Sequence, residues 1–588
     1  MSGTPRTDAR TNVCKEDLSP NQPTTSIPSS SRRKFLGKLG AATVAAGVIG
    51  SAPKALAGLN PVNRIGPNLT VQQSNRVIVA TAIRNAHTIS DSLVPVPPHT
   101  TNGDELRYSD KSASYGKALL QKQIGLVDLN AWQSFKKALN SGKNSDWEAV
   151  INGGTRTHNG PQGSYAWDLE SLDSSQYGNA PSPGDPTGLP VVAGYYKVTS
   201  PEHGAQLAEQ YWAALLRDVA FTDYATNATA IQAAAELDTL PGYVGPRDST
   251  GHVTTETLFR GVFPGELLGP YMSQFMLLPT SFGQQALNQQ MTTYVSGVDY
   301  MTDTTTYLQI QNGISTGLSL QTDPTPRYLH DGRGLGAWTH ADVLYQGYLI
   351  ADLVLGTLKA PVNPGNPYLG SKTQNGFCTF GGPDFAAAMG ECAARSLTKV
   401  WYQKWLVHLT PRPEAGAAVL HQNIVNPGLL QAKVNSNVLN SAAVAQVFSK
   451  YGTYLLPQAF PEGSPAHPCY PTGHGTVAGA AITFLKFFYD ENFVIANPMM
   501  PSNDGLSLQP YTGGDVLTVG GELAKLASNI SFGHGIHPGI HWRASSYASI
   551  LLGEAIAISM LQDRAKLYNE KFTVSFTKLD GHTQTITN

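Results

Sequence analysis

The alternation of apolar and polar positions is helical along most of the chain. Gln206–Phe221 sets Leu207, Tyr211, Leu215 and Val219 at near-3.6 spacing, the face of an amphipathic helix. The same reasoning predicts helices over Ala341–Leu358, Asp384–His408, Ser441–Lys450, Gly475–Tyr489 and Tyr547–Lys566. Gln72–His87 is mildly amphipathic, and Ser112–Ala138 holds helical stretches broken at Gly125. Pro95–Tyr108 and Gly153–Pro186 read as surface loops, and Leu258–Leu278 mixes aromatic residues with glycine under no dominant period. Strand periodicity is confined to the C-terminus, where Phe572–Phe576 and Thr583–Ile586 flank a Leu579-Asp580-Gly581 turn. No internal repeat is present. The fold expected is mainly α: helices bundled round a core, long loops and a small C-terminal β-hairpin.

Composition narrows the function classes. With 588 residues, 41% of them hydrophobic and 14% charged, the chain can bury a large core. A net charge of −2 gives no electrostatic case for a nucleic-acid or anionic membrane partner. Cys14, Cys378, Cys392 and Cys469 show no C-x-x-C spacing, so neither a disulfide framework nor a zinc motif is expected. Residues 1–30 are polar; Ser31-Arg32-Arg33-Lys34-Phe35-Leu36, a short apolar run and Ala55-Leu56-Ala57 then have the form of a twin-arginine export signal. The expected organisation is a leader over 1–57 and one helical domain over 58–588, exported from the cytoplasm, with the active site between 401 and 545.

Three stretches carry candidate chemistry. In His467–Thr476 (HPCYPTGHGT), His467 and His474 lie seven apart beside a predicted helix N-terminus, whose free N–H groups favour an oxyanion. A histidine there can exchange protons near neutral pH. In Lys404–Pro413 (KWLVHLTPRP), Lys404 and Arg412 lie eight apart, a point charge and a planar fork suited to a tetrahedral anion. Alone, that pair is a solvated helix end. The third stretch, Gly533–Arg543 (GHGIHPGIHWR), has His541 before the last long helix. His534, His537 and His541 would share a metal only on a regular helix, which Gly535, Pro538 and Gly539 argue against. Trp401, one turn before Lys404, is placed either to wall a substrate pocket or to pack in the core.

Together these stretches resemble the vanadium-dependent haloperoxidases, relatives of the type 2 phosphatidic acid phosphatases. That family's pattern is Lys-x7-Arg-Pro, then Pro-Ser-Gly-His, then Ser/Gly-Arg-x-x-x-Gly-x-His-x-x-x-Asp. His99–Tyr108, Ser112–Gly116, Leu258–Leu277 and Asn366–Gly381 are similar to its algal and bacterial branch as well. The resemblance implies that Lys404 and Arg412 bind the anion's oxygens and that Gly473 offers a backbone N–H. It makes His474 the acid–base histidine, His467 the second histidine of the bromoperoxidase-like branch, and His541 the ligand to vanadium. Family vanadate activates peroxide, which oxidises halide to a hypohalite equivalent. A homodimer or larger homo-oligomer is expected. Calcium, found in some algal relatives, is not, since Val362–Gly376 holds no Asp or Glu.

The sequence departs from the pattern at three places. Thr472 stands for the serine. Gly535, or His534 with one inserted residue, stands for the arginine. Ser545 stands for the aspartate that would anchor the metal-bound histidine. Loss of a charge-assisted contact costs on the order of 1.5–3 kcal/mol, roughly tenfold to a hundredfold in anion affinity. On this basis the expectation is that no cofactor is held. His474, Lys404, His467 and Thr472 would then perform acid–base conversion of a small organic substrate without redox chemistry, such as rearrangement of an oxidised prenylated aromatic; a family homologue in meroterpenoid biosynthesis rearranges an α-hydroxyketone without vanadium. The alternatives are an active vanadium haloperoxidase, with vanadate on His541, and an acid phosphatase.

Overall fold

The computed structural model describes residues 100–166 and 192–588, with seven further positions between 75 and 85. The leader, most of Gln72–His87 and the later part of Gly153–Pro186 lie outside the described residues. The chain divides into Met1–Val79 and Ala80–Asn588, and everything below concerns the second unit.

Its described helices of ten residues or more are α1 (Leu129–Ser141), α2 (Pro201–Leu216), α3 (Ala228–Thr239), α4 (Gly332–Ala341), α5 (Gln346–Leu358), α6 (Gly382–Tyr402), α7 (Pro413–Val425), α8 (Ala442–Tyr451), α9 (Gly473–Phe488), α10 (Val519–Gly535) and α11 (Arg543–Leu567). The sheets among the described residues are two-stranded; the last is the antiparallel hairpin β1 (Thr573–Thr577) and β2 (Thr583–Thr587). The mainly α architecture and the C-terminal hairpin agree with the hydrophobic pattern.

Boundaries move where local chemistry overrides periodicity. α2 starts five residues earlier than its apolar stripe, because Ser200 caps the amide of His203 and Pro201 occupies the first turn. The helix predicted from Ala341 starts only at Gln346, because Asp342 is extended; Ala341 instead closes α4, which the hydrophobic pattern did not predict. The helix predicted over Asp384–His408 is α6 followed by one π-helical turn, Gln403–His408, closed by Leu409 at φ 46°. Such turns widen a helix locally and recur at functional sites.

The centre of the fold is the antiparallel-neighbour pair α9 and α11. A Cβ on Gly479 would sit 1.9 Å from the carbonyl oxygen of Ile550, and one on Gly553 would sit 2.0 Å from that of Thr476, so only glycine permits this approach. Nearly every α9 residue is buried. α11 satisfies the length and hydropathy of a membrane span, yet 72% of that window is buried inside the protein, as for a core helix.

Candidate active site

The N-terminal ends of α9 and α11, the π turn after α6 and the C-terminal ends of α4 and α10 bring the candidate residues together. Arg412 precedes Pro413, which restricts it to extended backbone (φ −77°, ψ 160°) and makes it the residue before α7. Pro465, Pro468 and Pro471 keep the following loop from forming helix, and α9 begins at Gly473, which puts His474 inside its first turn. Beyond α10 the chain reverses through Gly539, whose φ of +85° favours glycine and where a Cβ would come 2.7 Å from Gln458 Nε2. It then delivers His541 two residues before α11.

The inner wall is buried and rich in donors. Lys404 Nζ donates to the carbonyls of Pro468 and Cys469, both at 2.9 Å. Arg412 donates from Nε to the His467 carbonyl (3.0 Å) and from Nη1 to the Ile540 carbonyl (3.2 Å) and to His541 Nε2 (2.7 Å). Its Nη2 lies 3.1 Å from His467 Nδ1. A guanidinium only donates, so His541 Nε2 carries the lone pair and Nδ1 the proton. That N–H faces Cys469 Sγ at 3.2 Å and Ser545 Oγ at 3.3 Å. Ser545 donates its own proton to the Cys469 carbonyl (3.1 Å), which leaves its oxygen free to accept. A neutral pair thus holds the imidazole where a carboxylate was expected.

α2 secures the other end of this segment with residues one turn apart. Gln210 Nε2 donates to the His541 carbonyl (2.7 Å), the Ala544 amide donates to Gln206 Oε1 (2.8 Å), and Arg543 donates to Glu209 from Nε and Nη2 (2.9 and 2.6 Å). Arg543 and Glu209 are both buried, and this pair fixes the start of α11.

Of the two positions that align with the family arginine, it is His534 that enters the site. Its ring stacks on His474 at 3.8 Å and lies 5.3 Å from His541. Gly535 serves the backbone: its carbonyl accepts from the amides of Ile540 and His541, and a Cβ there would come within 3.2 Å of His541 Cβ. α10 ends at Gly535, so the stretch from His534 to His541 is not a regular helix, as Gly535, Pro538 and Gly539 imply. His537 lies beyond α10 and bonds Tyr271 through Nε2 (3.0 Å), so the three histidines do not share one centre. Trp401 is partly buried at the edge, 4.8 Å from His467 and with Lys404 Nζ 5.8 Å from its ring; its Nε1 donates to the Asn159 carbonyl.

One residue that sequence reasoning missed is Asp342. Its Oδ1 lies 3.0 Å from His474 Nε2, with the carboxylate only 4% exposed. It stands 132 residues before His474 in an unremarkable helix break, and no motif marks it.

Several known proteins match most of the chain. A vanadium-dependent bromoperoxidase of Ascophyllum nodosum is 33% identical, over 80% of this chain and 86% of its own length. A vanadium-dependent bromoperoxidase of Corallina officinalis is 30% identical, over 83% and 94%. The chain belongs to the vanadium-dependent haloperoxidase family. No family model matches it. The fold agrees: the homohexameric structure of the second vanadate-dependent bromoperoxidase from Ascophyllum nodosum superposes with a TM-score of 0.81 at 26% identity, over 94% of this chain and 95% of that one.

The site fits the oxyanion that family membership implies. Burial and then Arg412 hold the Lys404 ammonium well below its usual range. Burial, followed by Arg412 and Lys404, does the same to His467 and His541; for His534 the order is burial, His474, Arg412 and Lys404. Among the described residues no carboxylate bonds to Lys404 or Arg412. A cluster of bases that suppress one another in a low dielectric lacks negative charge, and a bound anion supplies it. The buried Thr472 hydroxyl and His534 Nδ1, both without a partner among the described residues, are further groups that an anion's oxygens would satisfy.

Proposed function

We propose that this protein is a vanadate-dependent haloperoxidase that oxidises bromide with hydrogen peroxide. The observation that carries the reading is the set of partners round His541: Nε2 faces the Arg412 donor at the centre of the cluster, which assigns it the lone pair, and Nδ1 faces Ser545 and Cys469, which assigns it the proton. This is the tautomer a metal-bound histidine needs, and the hydrogen bond that orients it is present despite the missing aspartate.

Bound vanadate supplies an electrophilic centre at which peroxide is activated with no change of oxidation state. The chain's residues do the rest. His541 Nε2 would hold the group, in place of the Arg412 N–H that it accepts here. Arg412 and Lys404, with the Gly473 amide at the start of α9, draw negative charge from the oxygens. His474 keeps one ring nitrogen on Asp342, which leaves Nδ1 to give and take protons. Trp401 and His467 border the cluster where a halide or an organic acceptor approaches. The bromoperoxidase names of the relatives support bromide as the halide, and the homohexameric relative supports a homo-oligomer. The twin arginines of the leader support action outside the cytoplasm.

His534, held neutral where the family has arginine, favours a second reading: cofactor-free acid–base conversion of an organic substrate by His474 and Lys404. Bromination of a 1,3-dione reporter by the vanadate-reconstituted protein, peroxide and bromide separates the two. Activity that requires all three supports the first reading. No bromination at any vanadate concentration rejects it in favour of the second.

A further inference from the structure

Round the anion site, His467, His534 and His541 have no carboxylate partner among the described residues, whereas two other histidines have one. The inner pair is His474–Asp342. The outer pair is His340–Glu462, with His340 Nε2 2.7 Å from Glu462 Oε1 and its Nδ1 2.7 Å from the Tyr294 hydroxyl. His340 lies in the last turn of α4, where the helix dipole favours a cation, and Asp342 follows two residues later. One helix end therefore supports both pairs.

The outer pair is the more exposed of the two. Side-chain exposure is 26% for His340 and 39% for Glu462, against 12% for His474 and 4% for Asp342. The His340 ring stacks on Phe460 at 3.9 Å, and Phe460 packs with Ile540, the neighbour of His541. The charged and titratable groups round His340 are Tyr294, Glu462 and, behind Glu462, Arg156, which donates to the Glu462 carbonyl (2.8 Å). On the side of the site stands His534, which is depressed by burial first, then by His474, Arg412 and Lys404, and also by His340.

We propose that Tyr294, His340 and Glu462 form a proton station that reloads His474 from solvent during turnover. The inference rests on the haloperoxidase reading, because halide, hydrogen peroxide and one proton give hypohalous acid and water. Halide loses two electrons, the O–O bond accepts them as it breaks, and the proton ends in water. The station can hold or release that proton without losing a hydrogen bond. With imidazole neutral, tyrosine donates to Nδ1 and Nε2–H donates to Glu462. With imidazolium, the tyrosine hydroxyl rotates and accepts from Nδ1–H. His340 touches no reacting atom and acts through His474, as a positioning residue.

The test compares the full-length wild type with His340→Gln and Glu462→Gln. After vanadate reconstitution, kcat for bromination at saturating bromide should fall about tenfold or more in each. KM for bromide should stay within about twofold, the solvent deuterium isotope effect should rise, and added imidazole should restore His340→Gly. A readout without turnover is calorimetry of inorganic phosphate binding in two buffers of different ionisation enthalpy, where the protons taken up per phosphate should drop in both variants at unchanged affinity. Proton uptake, kcat and isotope effect equal to those of the wild type would overturn the station. A wild type that shows His340-dependent proton uptake yet never brominates would uphold the station and reject the haloperoxidase reading.

Discussion

The two walls of the site handle charge in opposite ways. On the inner wall Lys404, Arg412, His467, His534 and His541 are buried together, the two cations bonded to carbonyls and Arg412 also to His467 and His541, and no carboxylate among the described residues bonds to the two cations. At the mouth each histidine has its own carboxylate, His474 with Asp342 and His340 with Glu462. Bases crowded into a low dielectric without counter-charge suppress one another until an anion arrives, so the inner wall is built to bind. A histidine paired with a carboxylate keeps its hydrogen bond in either protonation state, so the mouth is built to move protons. Affinity and turnover should therefore separate between the walls.

The largest effects should follow removal of the two histidines that define the walls. His541→Ala should lower vanadate affinity more than about a hundredfold, since both the bond and its orientation are lost. Calorimetry reads this directly, and an unchanged Kd would place the anion elsewhere. His474→Ala should lower kcat by about 10²–10⁴ while vanadate affinity changes far less, which steady-state bromination beside the same calorimetry would show. A matched loss of affinity would merge the two walls into one.

Smaller effects sharpen the contrast. Arg412→Ala should weaken vanadate binding by about ten- to a hundredfold, the 1.5–3 kcal/mol of a charge-assisted contact. Ser545→Ala and Cys469→Ala should each cost less than about tenfold and the double variant about ten- to a hundredfold, because either group alone can still accept from His541 Nδ1–H. Additive single losses would argue against a shared anchor.

The effect furthest from the contrast itself is on pH dependence without anion. Burial pushes His158 and His203 down to about 4 and His537 to about 3, and also depresses the inner-wall histidines. Each has a folded pKa below its unfolded value of ~6.5, so the unfolded chain binds more protons in acid. Their stabilisation is complete above pH ~6.5 and is lost as pH falls toward the folded values, at about 1.4 kcal/mol per histidine and pH unit. Thermal melts from pH 7.5 to 5 should show Tm falling. Vanadate should flatten only the share of the slope due to His467, His534 and His541.

Much of the inner wall, and His474 at the mouth, was legible in sequence because these residues sit in short motifs: Lys404 and Arg412 eight apart, His467 and His474 seven apart, His541 before a helix. The rest of the mouth was not, since Asp342 and His340 lie more than 120 residues from their partners His474 and Glu462. α10 escaped prediction for a physical reason: it is buried on every side, so its apolar residues follow no single face. α11 begins four residues before its predicted start because Arg543, Ser545 and Ser546 are buried by polar partners, Glu209 foremost. The same contacts explain why Ser545, which reads as a lost anchor, still holds His541: its partner Cys469 comes from a loop 76 residues earlier.

The most direct test of the account is titration of orthovanadate into the purified protein and into His541→Ala, followed by calorimetry. The account predicts one vanadate per chain in the wild type and a loss of binding in the variant. Equal binding by both proteins, or none by the wild type, would contradict it.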